Sequence, residues 1–464
     1  MYDIIIIGAG VTGAMTAREL AGFDLSILVV EKENDAARGA SCANSGIVHA
    51  GFDAKPGTLK AKLNVLGSNM MEEIAAELSV PYKKNGSMVL AFSAEEDGVI
   101  RELYDRGLTN GVKDLRILDP KEIHEIESAV SGEVTSALYA PTGGIICPYG
   151  LTFAALGNAM DNGAEFKTNF EVVSITKKDG SFEVVSKDGR SESARFVVNC
   201  AGIHSDEIEK LTGRSTFTVS PRIGEYMLLD KECGDVIRST IFKVPTRMGK
   251  GILVSPTAHG NIIMGPTSQN VEDKEDTKTT RSGLEAVANG ARMSVPSIPA
   301  RSVITSFAGI RAVGDTGDFI IDENDGFVNC GGIESPGLSA SPAIAVYVKN
   351  LLINAGLPVS PRKDHLKGRR IFKAAPEKYD KIICRCELIS EGEIVSAIHT
   401  NPRASDIDGI KKRTRAGMGR CQGGFCQPFV AEILSRELGI PCSDITKSGK
   451  GSELFCGRIK EDRI

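Results

Sequence analysis

A chain of 464 residues is long for a single core, so two or three domains are expected. Its formal charge of −5 gives no global attraction to nucleic acid or anionic lipid, and no apolar run reaches the length that spans a bilayer. Fifty glycines with few aromatics point to an α/β protein, and eleven cysteines behind a signal-free opening, MYDIIIIGAG, fit a reducing, cytoplasmic compartment without disulfides.

In chain order, Ile4 to Ile7 form a continuous apolar run of the kind buried in a parallel sheet. The run leads into Gly8-Ala9-Gly10-Val11-Thr12-Gly13 and an alanine-rich helical stretch ending near Ala21. A second strand, Leu25 to Val30, ends on Glu31. This βαβ unit reads as a dinucleotide site. Gly8 makes the tight turn, Gly10 lets the backbone approach a pyrophosphate, and Gly13 lets helix and strand pack closely. The helix start offers amides and a positive dipole end to phosphates. Glu31 suits ribose hydroxyls and repels a 2′-phosphate, so FAD or NAD is the expected ligand. No second glycine pattern of this kind occurs in mid-chain, so one dinucleotide is expected.

From Pro81 to Tyr139 the pattern is charged and mostly helical. Residues Asn169 to Cys200 alternate, broken by the hairpin signals Asp179-Gly180 and Asp188-Gly189. Strand-like pieces at Tyr226 to Leu229, Ile252 to Ser255 and Asn261 to Gly265 suggest a sheet capping a substrate. Two short strands flank Asp325-Gly326, and a helix begins near Leu338. The basic stretch Pro361 to Lys378 reads as a linker.

Small residues crowd around a single histidine in GASCANSGIVHAGFDAKPGTLKAKL, Gly39 to Leu63, where a flat ring can lie against backbone. Here the chain resembles the D-amino-acid-oxidase-type flavoproteins, through Asn44-Ser45-Gly46-Ile47-Val48-His49-Ala50-Gly51 and the following Lys55 to Leu63. The type-2 glycerophosphate oxidases or dehydrogenases and the L-2-hydroxyglutarate dehydrogenases are the branches it is most similar to. Further matching segments are Gly224-Glu225-Tyr226, Gly249-Lys250-Gly251, Gly265-Pro266-Thr267 and Gly331 to Ser339.

The resemblance selects FAD over NAD. It implies contacts to the cofactor from Gly8, Gly10, Thr12, Gly13, Glu31, Lys32, Ser45, Gly46, Ala201, Gly202, Gly332, Gly337, Leu338 and Ser339. It implies His49 as the base that removes a hydroxyl proton while the carbon-bound hydrogen leaves as hydride; an ordinary imidazole, with a pKa of about 6.5, is half-poised for this. It also implies substrate contacts from Ser45, Lys250, Arg311 and Ser339. Arginine grips two oxygens as a fork and lysine adds a point charge. That pair suits the phosphate of glycerol 3-phosphate, and suits the second carboxylate of 2-hydroxyglutarate equally well.

Near the C-terminus stand Cys384 and Cys386, then thirty-four residues, then Cys421 and Cys426 in MGRCQGGFC. Four thiolates in two close pairs saturate one small metal centre, and zinc accepts them as readily as iron. Ser390 with Glu393 and Ser405 with Asp408 read as helix starts, and Cys426 precedes another helix that runs through Leu438. This module resembles the bacterioferritin-associated-ferredoxin-like [2Fe-2S] domain, which implies a [2Fe-2S] cluster, with structural zinc as the alternative. Lys411 to Arg415 reads as a docking face for an acidic electron acceptor, a counter-charge to the cluster, or a solvated helix face. Cys42, Cys147, Cys200, Cys233 and Cys330 read as buried or incidental, and Cys442 and Cys456 are leftover thiols with no clear role.

The expected architecture is therefore an FAD-binding Rossmann-like α/β domain (1–80, 140–215, 305–365) interleaved with an α+β substrate domain (81–139, 216–304) built on a mixed or antiparallel sheet. A linker (366–377) then leads to a small helical [2Fe-2S] domain (378–464). The expected activity is oxidation of glycerol 3-phosphate, with electrons passed to a separate acceptor protein, no nucleic acid, and membrane association at most through a partner. The alternatives are oxidation of a 2-hydroxy acid or a non-catalytic electron relay.

Overall fold

A computed structural model of the chain describes residues 1–244 and 251–455. Two large sheets dominate it. In the first, the opening strand Tyr2–Ile7 lies between Ile27–Val30 and Ser191–Asn199, parallel to both. Ile4, Ile5 and Ile6 are wholly buried, which is why the run reads as unbroken apolar sequence. Helices Val11–Leu20, Pro148–Asp161 and Gly337–Asn354 cover one face around a shared apolar core. The helix-to-strand approach requires Gly13, since a Cβ there would stand 2.0 Å from the carbonyl oxygen of Gly8. The hairpin expected in 169–200 is present as Val172–Lys178 and Ser181–Ser186, on the edge of this sheet.

The second sheet has nine strands and is mixed: Thr240–Lys243 runs parallel to Ser87–Ala91, and the other pairings are antiparallel. Its long pair is Val219–Leu229 against Val303–Gly314, in register over almost the whole length. The boundary expected at 305 therefore falls inside a strand of the second sheet; Ile320–Asn324 returns the chain to the first. Residues 81–139 also need correction. Helices Ala94–Thr109 and Pro120–Ile126 are present, but they are flanked by Ser87–Ala91 before and Ser136–Ala140 after, two paired interior strands of the second sheet. Their short apolar runs carry too few residues for a period to declare itself.

The stretch read as a linker is fastened down. Asn158 donates through its side-chain amide to the carbonyls of Leu366 and Lys367, and the Leu366 amide donates to Asn162. Beyond it, helices Glu391–His399, Ile407–Thr414 and Gln427–Leu438 enclose their own core of Ile394, Ile398, Ile410 and Leu434. The first begins with the expected reciprocal cap between Ser390 and Glu393. The second is capped by Asp406, not Ser405: the Asp406 carboxylate accepts the Gly409 amide at 2.6 Å. No helix among the described residues is long and apolar enough to cross a membrane.

Candidate active site

A cavity of about 1430 Å³ runs between the two sheets, beyond the roughly 300–1,000 Å³ usual for a small-molecule pocket. Gly8, Gly10, Thr12, Glu31, Lys32, Ala201 and Gly202 line one end. Gly8 sits at φ +102°, where a Cβ would meet the Cys200 carbonyl oxygen at 2.5 Å, so only glycine makes this turn. The Glu31 carboxylate accepts the amides of Ala9 (2.8 Å) and Glu33 (3.1 Å), which fixes it at the strand end. Burial raises its pKa against the pull of those two donors. Lys32 pairs at 2.6 Å with Glu275, on a segment that crosses from the second sheet. Gly13, Gly46 and Gly332 stand behind the wall and shape its backbone without lining the cavity. These features fit a dinucleotide: a cleared turn, a helix start, and an acid at the second strand end.

His49 lines the same cavity, with Ser45, Gly337 and Leu338. Its ring stacks on Phe242 at 5.6 Å, and Nε2 lies 3.4 Å from the Ser335 hydroxyl. Its amide donates to Ser339 Oγ at 2.8 Å, and that hydroxyl faces the Ile47 carbonyl at 3.3 Å. Ser339 is wholly buried. It was expected to touch substrate and cofactor, and instead it holds the backbone that carries His49. The start of helix Gly337–Asn354 faces the cavity, so its positive dipole end is directed there.

Arg311 reaches the cavity from Val303–Gly314 and donates to the Thr267 carbonyl at 3.2 Å. Gly224 makes room for it, since a Cβ there would be 2.7 Å from Nη2. Directly across the ladder stands Arg222, also lining the cavity. The sequence reading missed Arg222. Its signal was the alternation Arg222, Gly224, Tyr226, which puts all three on one strand face. Lys250 lies outside the described residues.

In the C-terminal module Cys384 and Cys426 are buried, whereas Cys386 and Cys421 are exposed. The thiols associate as two pairs, Cys384 with Cys426 and Cys386 with Cys421. Cys384 is held down to about 5 by its bond with Cys426 and by the amides of Gly417, Glu387 and Cys386. The Cys421 thiol is lowered too, first by the Phe425 amide. Two sulfur pairs ringed by backbone donors fit a centre with two metal ions. Of the remaining cysteines, Cys147, Cys200, Cys233 and Cys330 are buried, Cys42 is partly so and Cys442 is exposed; Cys456 lies outside the described residues.

The basic run Lys411 to Arg415 is largely internal. Arg413 clasps Asp35 at 2.7 and 2.8 Å and stacks over Phe153, while Arg415 pairs with Glu387 at 2.8 Å. The Arg413 contacts, with a bond from Arg415 to the Asn261 side-chain oxygen at 3.0 Å, join the module to the body, while the Arg415–Glu387 pair is internal to the module; this corrects the reading as a docking face.

Residues 3–351 match the FAD dependent oxidoreductase (DAO) family. The chain belongs to that family. Residues 382–436 of this oxidoreductase match the BFD-like [2Fe-2S] binding domain and contain all four paired cysteines. The oxidoreductase is 44% identical to a glycerol 3-phosphate dehydrogenase of Caloramator mitchellensis over the whole of both chains. A glycerol 3-phosphate oxidase of Mycoplasma pneumoniae is 33% identical over 75% of the oxidoreductase and 94% of its own length. The solved structure of dithionite-reduced L-α-glycerophosphate oxidase from Mycoplasma pneumoniae, with FAD bound, superposes with a TM-score of 0.75 at 31% identity. It covers 80% of the oxidoreductase and 99% of its own chain. The oxidoreductase therefore continues past a glycerophosphate-oxidase-like body into a cysteine-bearing module.

Proposed function

We propose that this chain oxidises the secondary alcohol of glycerol 3-phosphate to the ketone of dihydroxyacetone phosphate. The observation that carries the reading is one cavity that holds a dinucleotide cradle, the His49 imidazole and two arginines facing each other across a ladder. Two glycerol 3-phosphate enzymes among its relatives support the choice of alcohol.

Arg222 and Arg311 bind the phosphate, their guanidinium forks matching its oxygens. His49 Nε2 accepts the substrate hydroxyl proton, with the Ser335 hydroxyl beside it. Ser339 holds His49 in place from behind. FAD supplies the hydride acceptor, and a [2Fe-2S] cluster supplies storage of one electron at a time. Gly8, Gly10, Thr12, Glu31, Ala201 and Gly202 would hold the nucleotide of the first, and Cys384, Cys386, Cys421 and Cys426 the irons of the second. With such a centre the chain is a dehydrogenase that delivers electrons to a separate acceptor protein.

The test is anaerobic bleaching of the flavin bands by a panel of alcohols. Glycerol 3-phosphate is expected to bleach them faster than 2-hydroxyglutarate or glycerol. A faster response to 2-hydroxyglutarate would reassign the substrate, and silence across the panel would leave an electron relay.

A further inference from the structure

The cavity and the four thiols sit in different domains, and a contact between Tyr149 and Met418 connects them. Ser45 lines the cavity. The carbonyl of the next residue, Gly46, accepts the Ile146 amide at 2.8 Å. The two backbones are so close there that a Cβ on Gly46 would stand 2.5 Å from the Ile146 carbonyl oxygen. From Ile146 the chain passes through Cys147 and Pro148 to Tyr149, whose hydroxyl donates to Sδ of Met418 at 3.3 Å. Met418 stands between two glycines that both reach the thiols. The Gly417 amide donates to the Cys384 sulfur. Gly419 lies against Cys386, where a Cβ would come within 2.3 Å of that residue's Cβ.

A thioether is a weak acceptor for a phenol, but its sulfur is soft and polarizable. The crossing is also held still. Glu387, next to Cys386, is gripped by Arg415 at 2.8 Å and by Lys231 of the body at 2.7 Å. The Asp35 to Arg413 pair clamps the module a second time.

We propose that the Tyr149–Met418 contact is the electronic bridge between the flavin site and the cluster thiols, so that electrons cross within one docked chain without a swing of the module. The proposal rests on the cofactor assignment above. In each passage one electron leaves the reduced flavin and converts one ferric ion of the cluster to ferrous. After two passages, with the cluster emptied between them by a one-electron acceptor, the flavin is oxidised again and the proton that came with the hydride is released to water.

The experiment uses the holoenzyme and its Tyr149→Phe and Met418→Leu variants under anaerobic conditions. A photochemical reductant reduces the flavin in one flash, and flavin reoxidation is followed alongside bleaching of the long-wavelength cluster band. Because no alcohol is added, the outcome is independent of substrate identity. Expected are slower flavin-to-cluster transfer in both variants, by about tenfold or more, equal to roughly 1.4 kcal/mol of barrier, with unchanged reduction potentials and an unchanged electron paramagnetic resonance signal from the reduced cluster. Transfer at the wild-type rate in Tyr149→Phe, with its cluster signal intact, overturns the proposal. Should Met418→Leu lose its cluster, Tyr149→Phe decides alone, since it alters only the body domain. A holoenzyme without any long-wavelength band overturns the cofactor assignment together with the bridge.

Discussion

The amide of His49 donates to the side-chain oxygen of Ser339 at 2.8 Å, across 290 residues of chain. That bond ties the segment bearing the imidazole to the first turn of helix Gly337–Asn354, so base and helix start are placed as one unit. The link is reinforced from the other side, where the Asn64 amide, in the orientation that satisfies both of its ends, bridges the His49 carbonyl and the Gly51 amide at 3.2 Å each.

Ser339→Ala leaves the His49 amide without its buried acceptor, at a cost of about 1–3 kcal/mol. The expected outcome is a lower urea midpoint and slower flavin reduction by glycerol 3-phosphate, with the FAD spectrum retained. Stopped-flow absorbance and equilibrium unfolding read the two effects, and a wild-type rate would remove Ser339 from the positioning of His49.

Arg222 and Arg311 face each other across the ladder, and both line the cavity. Each charge-assisted contact is worth roughly 1.5–3 kcal/mol, so Arg222→Ala and Arg311→Ala are each expected to lower kcat/KM for glycerol 3-phosphate by about ten- to a hundredfold, through KM. Activity on glycerol itself, which has no phosphate to lose, is expected to change little. Equal losses on both substrates would mean that the arginines do not bind the phosphate.

The Arg413 and Asp35 side chains are only 8% and 9% exposed, so removing one leaves the other charged in a nearly dry interface. Breaking such a buried pair costs about 3–5 kcal/mol. Arg413→Ala is therefore expected to separate unfolding of the C-terminal module from that of the body in a denaturant titration followed by flavin and by far-ultraviolet signals. A single coincident transition would argue against this pair as the clamp.

His259 lies beside Lys231, Glu387 and Arg415 where the module meets the second sheet. Burial, then the charges of Arg415 and Lys231, hold its pKa down to about 4 from an ordinary 6.5. Between those values the unfolded chain binds a proton that the folded chain refuses, so this contribution to stability is complete above pH about 6.5 and is lost as pH falls toward about 4. His259→Gln is expected to flatten the fall in thermal stability over that window. Parallel pH profiles for the two proteins would contradict it.

Features carried by neighbours in sequence are legible in the sequence alone. The strand Tyr2–Ile7, the turn at Gly8, the acid at Glu31 and the cap of Ser390 with Glu393 all depend on spacing within one short segment. What escaped depends on register and on contacts between distant parts of the chain. Arg222 joins the site because an antiparallel ladder sets it opposite Arg311. Ser339 turns from ligand to brace because the helix that carries it packs under residues 47–49. The charges of Arg413 and Arg415 left docking face, counter-charge and solvated surface all open because their partners Asp35 and Glu387 lie 378 and 28 residues away.

The central claim is that His49 removes the hydroxyl proton of the alcohol oxidised at the flavin. Its most direct test is the rate at which glycerol 3-phosphate bleaches the flavin anaerobically in wild type and in His49→Ala, both loaded with FAD. General base catalysis contributes roughly 10²–10⁴-fold, so the variant is expected to bleach slower by about that factor while binding the cofactor normally. Bleaching at the wild-type rate would contradict the account.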